Sequence, residues 1–116
     1  MLNERDKSIL KHILEYCDKI ERAIARFGIT LDILKTDEDY RNIVSMYVFQ
    51  IGELTTHFSK KFLLANTEMP WSKMKGMRNI AAHNYKNFSM DLLYGVLIEN
   101  IPELKGYCLK KLNEEM

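Results

Sequence analysis

Apolar residues in this chain recur at three- and four-residue spacing over most of its length, and that period fixes the class of fold. Ile9, Leu10, Ile13, Leu14, Cys17, Ile20, Ile24 and Phe27 form one stripe, with polar residues on the other face. Gly28 follows directly and reads as the C-terminal stop of a first long helix. Residues 29–35 read as a short link. Thr36 then supplies an N-cap hydroxyl, with Asp37, Glu38 and Asp39 in the first turn of a second long helix. Its stripe is Tyr40, Ile43, Val44, Tyr47, Ile51, Leu54, Phe58 and Phe62, so the helix is expected to reach about Leu64. Gly52 lies inside it, at a cost of about 1 kcal/mol relative to Ala, and reads as a close helix–helix contact.

Pro70 precedes a short helix from about Trp71 to His83, because Pro is favoured where a helix begins. Residues 84–87 read as a loop, and Ser89 as the N-cap of a last helix with Asp91 in its first turn. Leu92, Leu93, Val96, Leu97, Ile101, Leu104, Tyr107, Cys108 and Leu112 keep the helical period to the end. Pro102 removes a backbone donor, so a kink or break is expected near Asn100. The chain is too short for a second core, so residues 1–116 form one domain: an all-α, up-and-down helical bundle.

Composition narrows the function classes. No segment is apolar for long enough to cross a bilayer, and the mixed-charge start lacks the run of a signal peptide, so a cytoplasmic protein is expected. Cys17 and Cys108 read as small buried hydrophobes. The three histidines and two cysteines lack metal-ligand spacing, and neither a metal nor a cofactor is expected. Net charge is +1, yet residues 55–86 hold six cations, Lys60, Lys61, Lys73, Lys75, Arg78 and Lys86, against the single acid Glu68. A local positive field attracts polyanions even when the whole protein is neutral. A solvated helix face is the plainer explanation of the same lysines.

Two side chains in that basic third suit phosphate chemistry. Arg78 carries a permanent cation with a planar fork of donors. His83 can exchange a proton near neutral pH. Asn79 lies four residues before His83, on the same helix face. Arg78 and His83 are about 140° apart around an ideal helix, so they meet one phosphate where the helix ends at His83, or where two motifs face each other across a dimer axis. By spacing alone, a surface Arg and a His at a helix C-terminus explain the pattern as well.

The wider motif is Pro70-Trp71, then Gly76-Met77-Arg78-Asn79, His83 and Tyr85, and it resembles the HepT-like branch of the HEPN superfamily. These are ribonuclease toxins encoded beside a minimal nucleotidyltransferase of the MNT type. Ile51-Gly52-Glu53 upstream, and Asp91 and Ile101-Pro102-Glu103-Leu104 downstream, extend the resemblance over about residues 40–110. Asn84, Lys86 and Tyr94 depart from residues frequent in the family, which puts the usual shape of the loop after His83 in doubt.

The resemblance implies a HEPN-type bundle forming a homodimer, with two Arg-x4-His motifs facing a shared cleft. It implies a metal-independent endoribonuclease of a type II toxin–antitoxin system, cutting RNA (a tRNA or an mRNA) to 2′,3′-cyclic phosphate and 5′-OH ends. His83 would transfer protons, Arg78 would clamp the phosphate and Asn79 would position the phosphate or His83. Tyr85 would receive AMP from the nucleotidyltransferase antitoxin, and that bulky anion would block the cleft.

Lys73, Lys75, Lys86 and His57 are candidate RNA contacts, each also readable as ordinary solvated surface. Glu53 either orients Arg78 or is an ordinary helix charge. Trp71 reads as a packing anchor, with base stacking as the other use. A different class of function fits the same chain: a non-catalytic helical dimer that binds and regulates the nucleotidyltransferase.

Overall fold

The computed structural model describes residues 2–82 and 90–115. It is all-α, with no strand among the described residues. Helix α1 spans Glu4–Phe27, α2 Leu31–Thr36, α3 Glu38–Thr55, α4 Lys60–Ala65, α5 Trp71–Ala82, α6 Met90–Gly95 and α7 Ile101–Glu114; a π turn, Val96–Asn100, joins the last two. Helix α3 packs against both α1 and α5, and α1 also packs against α7.

The first stripe behaves as its period requires. Ile9, Leu10, Ile13, Cys17 and Ile20 are buried, and Gly28 ends α1 at φ 108°, donating its N–H to the Ile24 carbonyl at 2.8 Å. Burial, reinforced by nearby Glu21, pushes the Cys17 thiol up to about 12, and burial likewise raises Cys108, so both stay neutral in the core. Tyr40 is buried and stacks on Phe27 at 5.1 Å, and Tyr47 lies against Tyr16 at 5.9 Å.

Three boundaries differ from the expectation. The link at 29–35 holds a helix, α2, capped where the Thr30 hydroxyl accepts from the Ile33 N–H at 3.1 Å and anchored by fully buried Leu34. Thr36 therefore closes α2, its hydroxyl donating to the Asp32 carbonyl at 2.9 Å, and Asp37 caps α3 instead by accepting from the Tyr40 N–H at 3.0 Å. The second long helix stops at Thr55 rather than near Leu64. The hydroxyls of Thr55 and Thr56 donate to the Gly52 and Glu53 carbonyls at 2.8 and 2.7 Å, competing for acceptors that a continuing helix would use.

A long-range contact restarts the chain as α4. Asp6, 2% exposed, accepts from the Ser59 N–H at 2.8 Å and the Ser59 hydroxyl at 2.6 Å, while the same hydroxyl caps α4 through the Phe62 N–H. Asp6→Ala leaves the half-buried Ser59 donors without their charged acceptor. It should destabilise the protein by about 2–3 kcal/mol, read as a lower midpoint in urea at unchanged slope.

Trp71 opens α5 and is a packing anchor. Its ring sits edge-on to Phe58 at 5.1 Å and to Tyr107 at 5.7 Å, and its indole N–H donates to the Asn66 carbonyl at 2.7 Å. The interruption expected near Asn100 is present, as a change of helix type between α6 and α7. The Ile101 N–H reaches back five residues to the Val96 carbonyl, so a π turn absorbs the site where proline lacks a donor. No described helix is long and apolar enough to cross a membrane. The expected helix end at His83, the loop at 84–87 and the Ser89 cap lie outside the described residues.

Candidate active site

Gly52 determines how closely α3 and α5 approach. A Cβ built on Gly52 would lie 2.8 Å from the Arg78 backbone nitrogen and 2.9 Å from the Arg78 Cβ, closer than side-chain carbons pack. The close contact expected from the sequence is therefore made, and its partner is the backbone of Arg78. Met74 and Met77, both buried, hold the core side of α5, which leaves Arg78 half-buried at the edge.

Glu53 is the next residue on α3 after that glycine. Its Oε1 accepts a hydrogen bond from Arg78 Nη1, and both side chains are 35% exposed. Glu53 is thus paired with Arg78, the contact that a carboxylate orienting that arginine would make. A half-exposed ion pair adds less than about 1 kcal/mol to stability, so its consequence is geometric. One arm of the guanidinium is tied down, which fixes the plane of a fork built to bind phosphate oxygens. The pair joins residues on different helices, and no local signal announces it.

The other candidates separate. Asn79 is exposed on α5, and Lys75, also exposed, shares a helix face with Arg78 and Asn79 by three- and four-residue spacing. Lys73 is exposed on a different face and lines a cavity of about 220 Å³ together with Asp91 and Glu99. His57 is exposed in the turn after α3, and no contact joins it to Arg78 among the described residues. His83, Tyr85 and Lys86 lie outside the described residues. His83 follows the last residue of α5 directly in sequence, so α5 delivers the chain to it. Among the described residues no group of His, Cys, Asp or Glu is arranged to hold a metal ion.

The fold defines the class, an all-α helical bundle, and its α3–α5 contact presents an arginine tethered by Glu53. The comparisons agree. The family described as "Ribonuclease HepT-like" matches residues 13–110, and the chain belongs to that family. It is 24% identical over 106 residues to "Putative RNase TTE0752" of Caldanaerobacter subterraneus subsp. tengcongensis, covering 91% of this chain and 93% of that protein. It is 34% identical over 56 residues to "Probable ribonuclease HepT" of Thermococcus cleftensis, covering 48% of this chain and 51% of that one. It is also 29% identical over 114 residues to "Gamma-glutamylcyclotransferase and putative RNase MJ0434" of Methanocaldococcus jannaschii, spanning 93% of this chain but 48% of that longer protein. No solved structure matches the chain.

Proposed function

We propose that this chain is a metal-independent endoribonuclease, the toxin of a type II toxin–antitoxin system, with its active site built on Arg78, Asn79 and His83. The observation that carries this reading is the Glu53–Arg78 pair, which holds a phosphate-binding fork at the protein surface where α5 leads to His83. The ribose 2′-OH attacks the adjacent phosphorus as His83 accepts its proton. The P–O5′ bond breaks, a proton passes to O5′, and the products are a 2′,3′-cyclic phosphate and a 5′-OH. Arg78 neutralises the charge that develops on the phosphorane oxygens, and Asn79 positions the phosphate.

The chain works as a homodimer in this reading. Met46, Gln50 and Glu53 share one face of α3, and Met46 is 59% exposed on it. A second copy covering that apolar side chain would bring a second Arg78 close to the first. Tyr85, two residues beyond His83, is the acceptor of AMP from an MNT-type nucleotidyltransferase antitoxin. The added phosphate repels RNA at the site and the adenosine fills it. The RNA is a tRNA or an mRNA.

The test is incubation of the purified protein with total tRNA in excess EDTA, beside His83→Ala, with intact mass recorded to score AMP on Tyr85. Cleavage to cyclic-phosphate ends by the parent and none by His83→Ala is the expected result. A folded, unmodified parent that leaves RNA intact overturns the reading in favour of a non-catalytic dimer that binds the nucleotidyltransferase.

A further inference from the structure

Helix α1 carries a second cluster of cations, on the side of α3 that faces neither α5 nor Glu53. Lys19, Arg22 and Arg26 recur at three- and four-residue spacing and form one stripe about 10 Å long. They edge a groove of about 230 Å³ between α1 and α3, whose floor is Ala23, Ile43 and Tyr47. The small side chain of Ala23 keeps the groove open.

Aromatic rings brace the cations rather than carboxylates. Lys19 Nζ lies 5.1 Å from the Tyr16 ring and 6.0 Å from the Tyr47 ring, and the Arg26 guanidinium lies 5.3 Å from the Phe27 ring. The neighbouring acids are engaged elsewhere: Lys105 on α7 pairs with Glu21 at 2.6 Å and with Asp18 at 3.6 Å. Among the described residues Lys19, Arg22 and Arg26 form no ion pair, so their charge is offered to solvent. Glu15, one turn before Lys19, closes the stripe at its N-terminal end.

We propose that the α1–α3 groove binds the phosphodiester backbone of single-stranded RNA, with Lys19, Arg22 and Arg26 on successive phosphates and Tyr47 as a face on which a base stacks. A cationic groove with interleaved aromatic rings is the recurrent design for gripping a strand without reading its sequence. A charged stripe alone would also suit an acidic protein segment, but the aromatic floor favours bases. Tyr47 and Glu53 both lie on α3, about 9 Å apart along its axis but on different faces of it, so a strand leaving the groove passes around α3 to reach Arg78. The inference takes its ligand class from the ribonuclease reading and adds to it a grip outside the reacting phosphate.

The test measures binding apart from cleavage. A fluorescent single-stranded RNA about 12 nucleotides long is titrated with full-length His83→Ala protein over a range of KCl concentrations. The same titration follows with Lys19→Ala, Arg22→Ala and Arg26→Ala added together, and with Arg22→Glu alone as a second variant should the triple one lose its fold. The expected result is at least tenfold weaker binding for the triple variant near 0.15 M salt, with the steepness of log affinity against log salt falling by about 2. Arg22→Glu should weaken binding by itself. Unchanged affinity and steepness in folded variants overturn the proposal. So does loss of binding to a poly-aspartate peptide with RNA binding intact, which would assign the groove to an acidic protein. A His83-intact protein that cleaves RNA while the groove variants bind normally removes the groove and spares the ribonuclease. Weakened binding in the groove variants of a chain that never cleaves does the reverse.

Discussion

Arg78→Ala is expected to lower RNA cleavage by about 100- to 1000-fold while the protein keeps its fold, because the proposed mechanism then loses its donor to the developing phosphorane charge. Stability should change by less than about 1 kcal/mol, since Arg78 and Glu53 are each 35% exposed and water takes the place of the missing partner. Thermal midpoints and single-turnover rates of the two proteins separate these effects. Arg78→Lys should recover little, because an ammonium retains the charge but not the planar fork. A full-rate Arg78→Ala protein would remove this residue from the mechanism.

Gly52→Ala should behave differently, losing activity and stability together. The new methyl would meet the Arg78 backbone nitrogen at 2.8 Å, and backbone cannot swing aside as a flexible side chain can. Helix α5 must retreat by roughly half an ångström from α3. Overpacking of this kind costs about 1–3 kcal/mol, offset by the ~1 kcal/mol that alanine gains over glycine within a helix. The net loss should be near 1 kcal/mol by urea unfolding. The cleavage rate should fall by up to about 100-fold, because the displaced helix carries the guanidinium away from its productive position. Gly52→Val, larger and poorer in a helix, should fail more severely in both assays. A Gly52→Ala protein with parental rate would show that the arginine tolerates movement of the helix beneath it.

Sequence patterns reached the helices because those patterns are local. The stripe from Ile9 to Phe27, the glycine stop at Gly28 and the disturbance around Pro102 each depend on residues within about a turn or two of one another. Where local rules failed, a more distant or competing partner was involved. Leu34 turns a seven-residue link into helix α2 because it can bury its side chain in the core. The apolar spacing from Leu54 to Phe62 continues unbroken, yet α3 ends between them, where Thr55 and Thr56 take up backbone carbonyls and Asp6 captures Ser59.

The candidate site divides in the same way. Membership of a ribonuclease family was legible from the motif between Pro70 and Tyr85, because its residues lie close together in sequence. The sequence by itself also determined the helical class, the glycine at a close contact and the arginine on offer. Only the tertiary structure decided that the close contact falls on Arg78, that Glu53 pairs with it, and that Lys19, Arg22 and Arg26 border a groove lined by Tyr47. Helical periodicity states which face of each helix is apolar. It does not state which neighbour that face meets or at what height, and the pairing of Glu53 with Arg78 is set by where α3 and α5 cross.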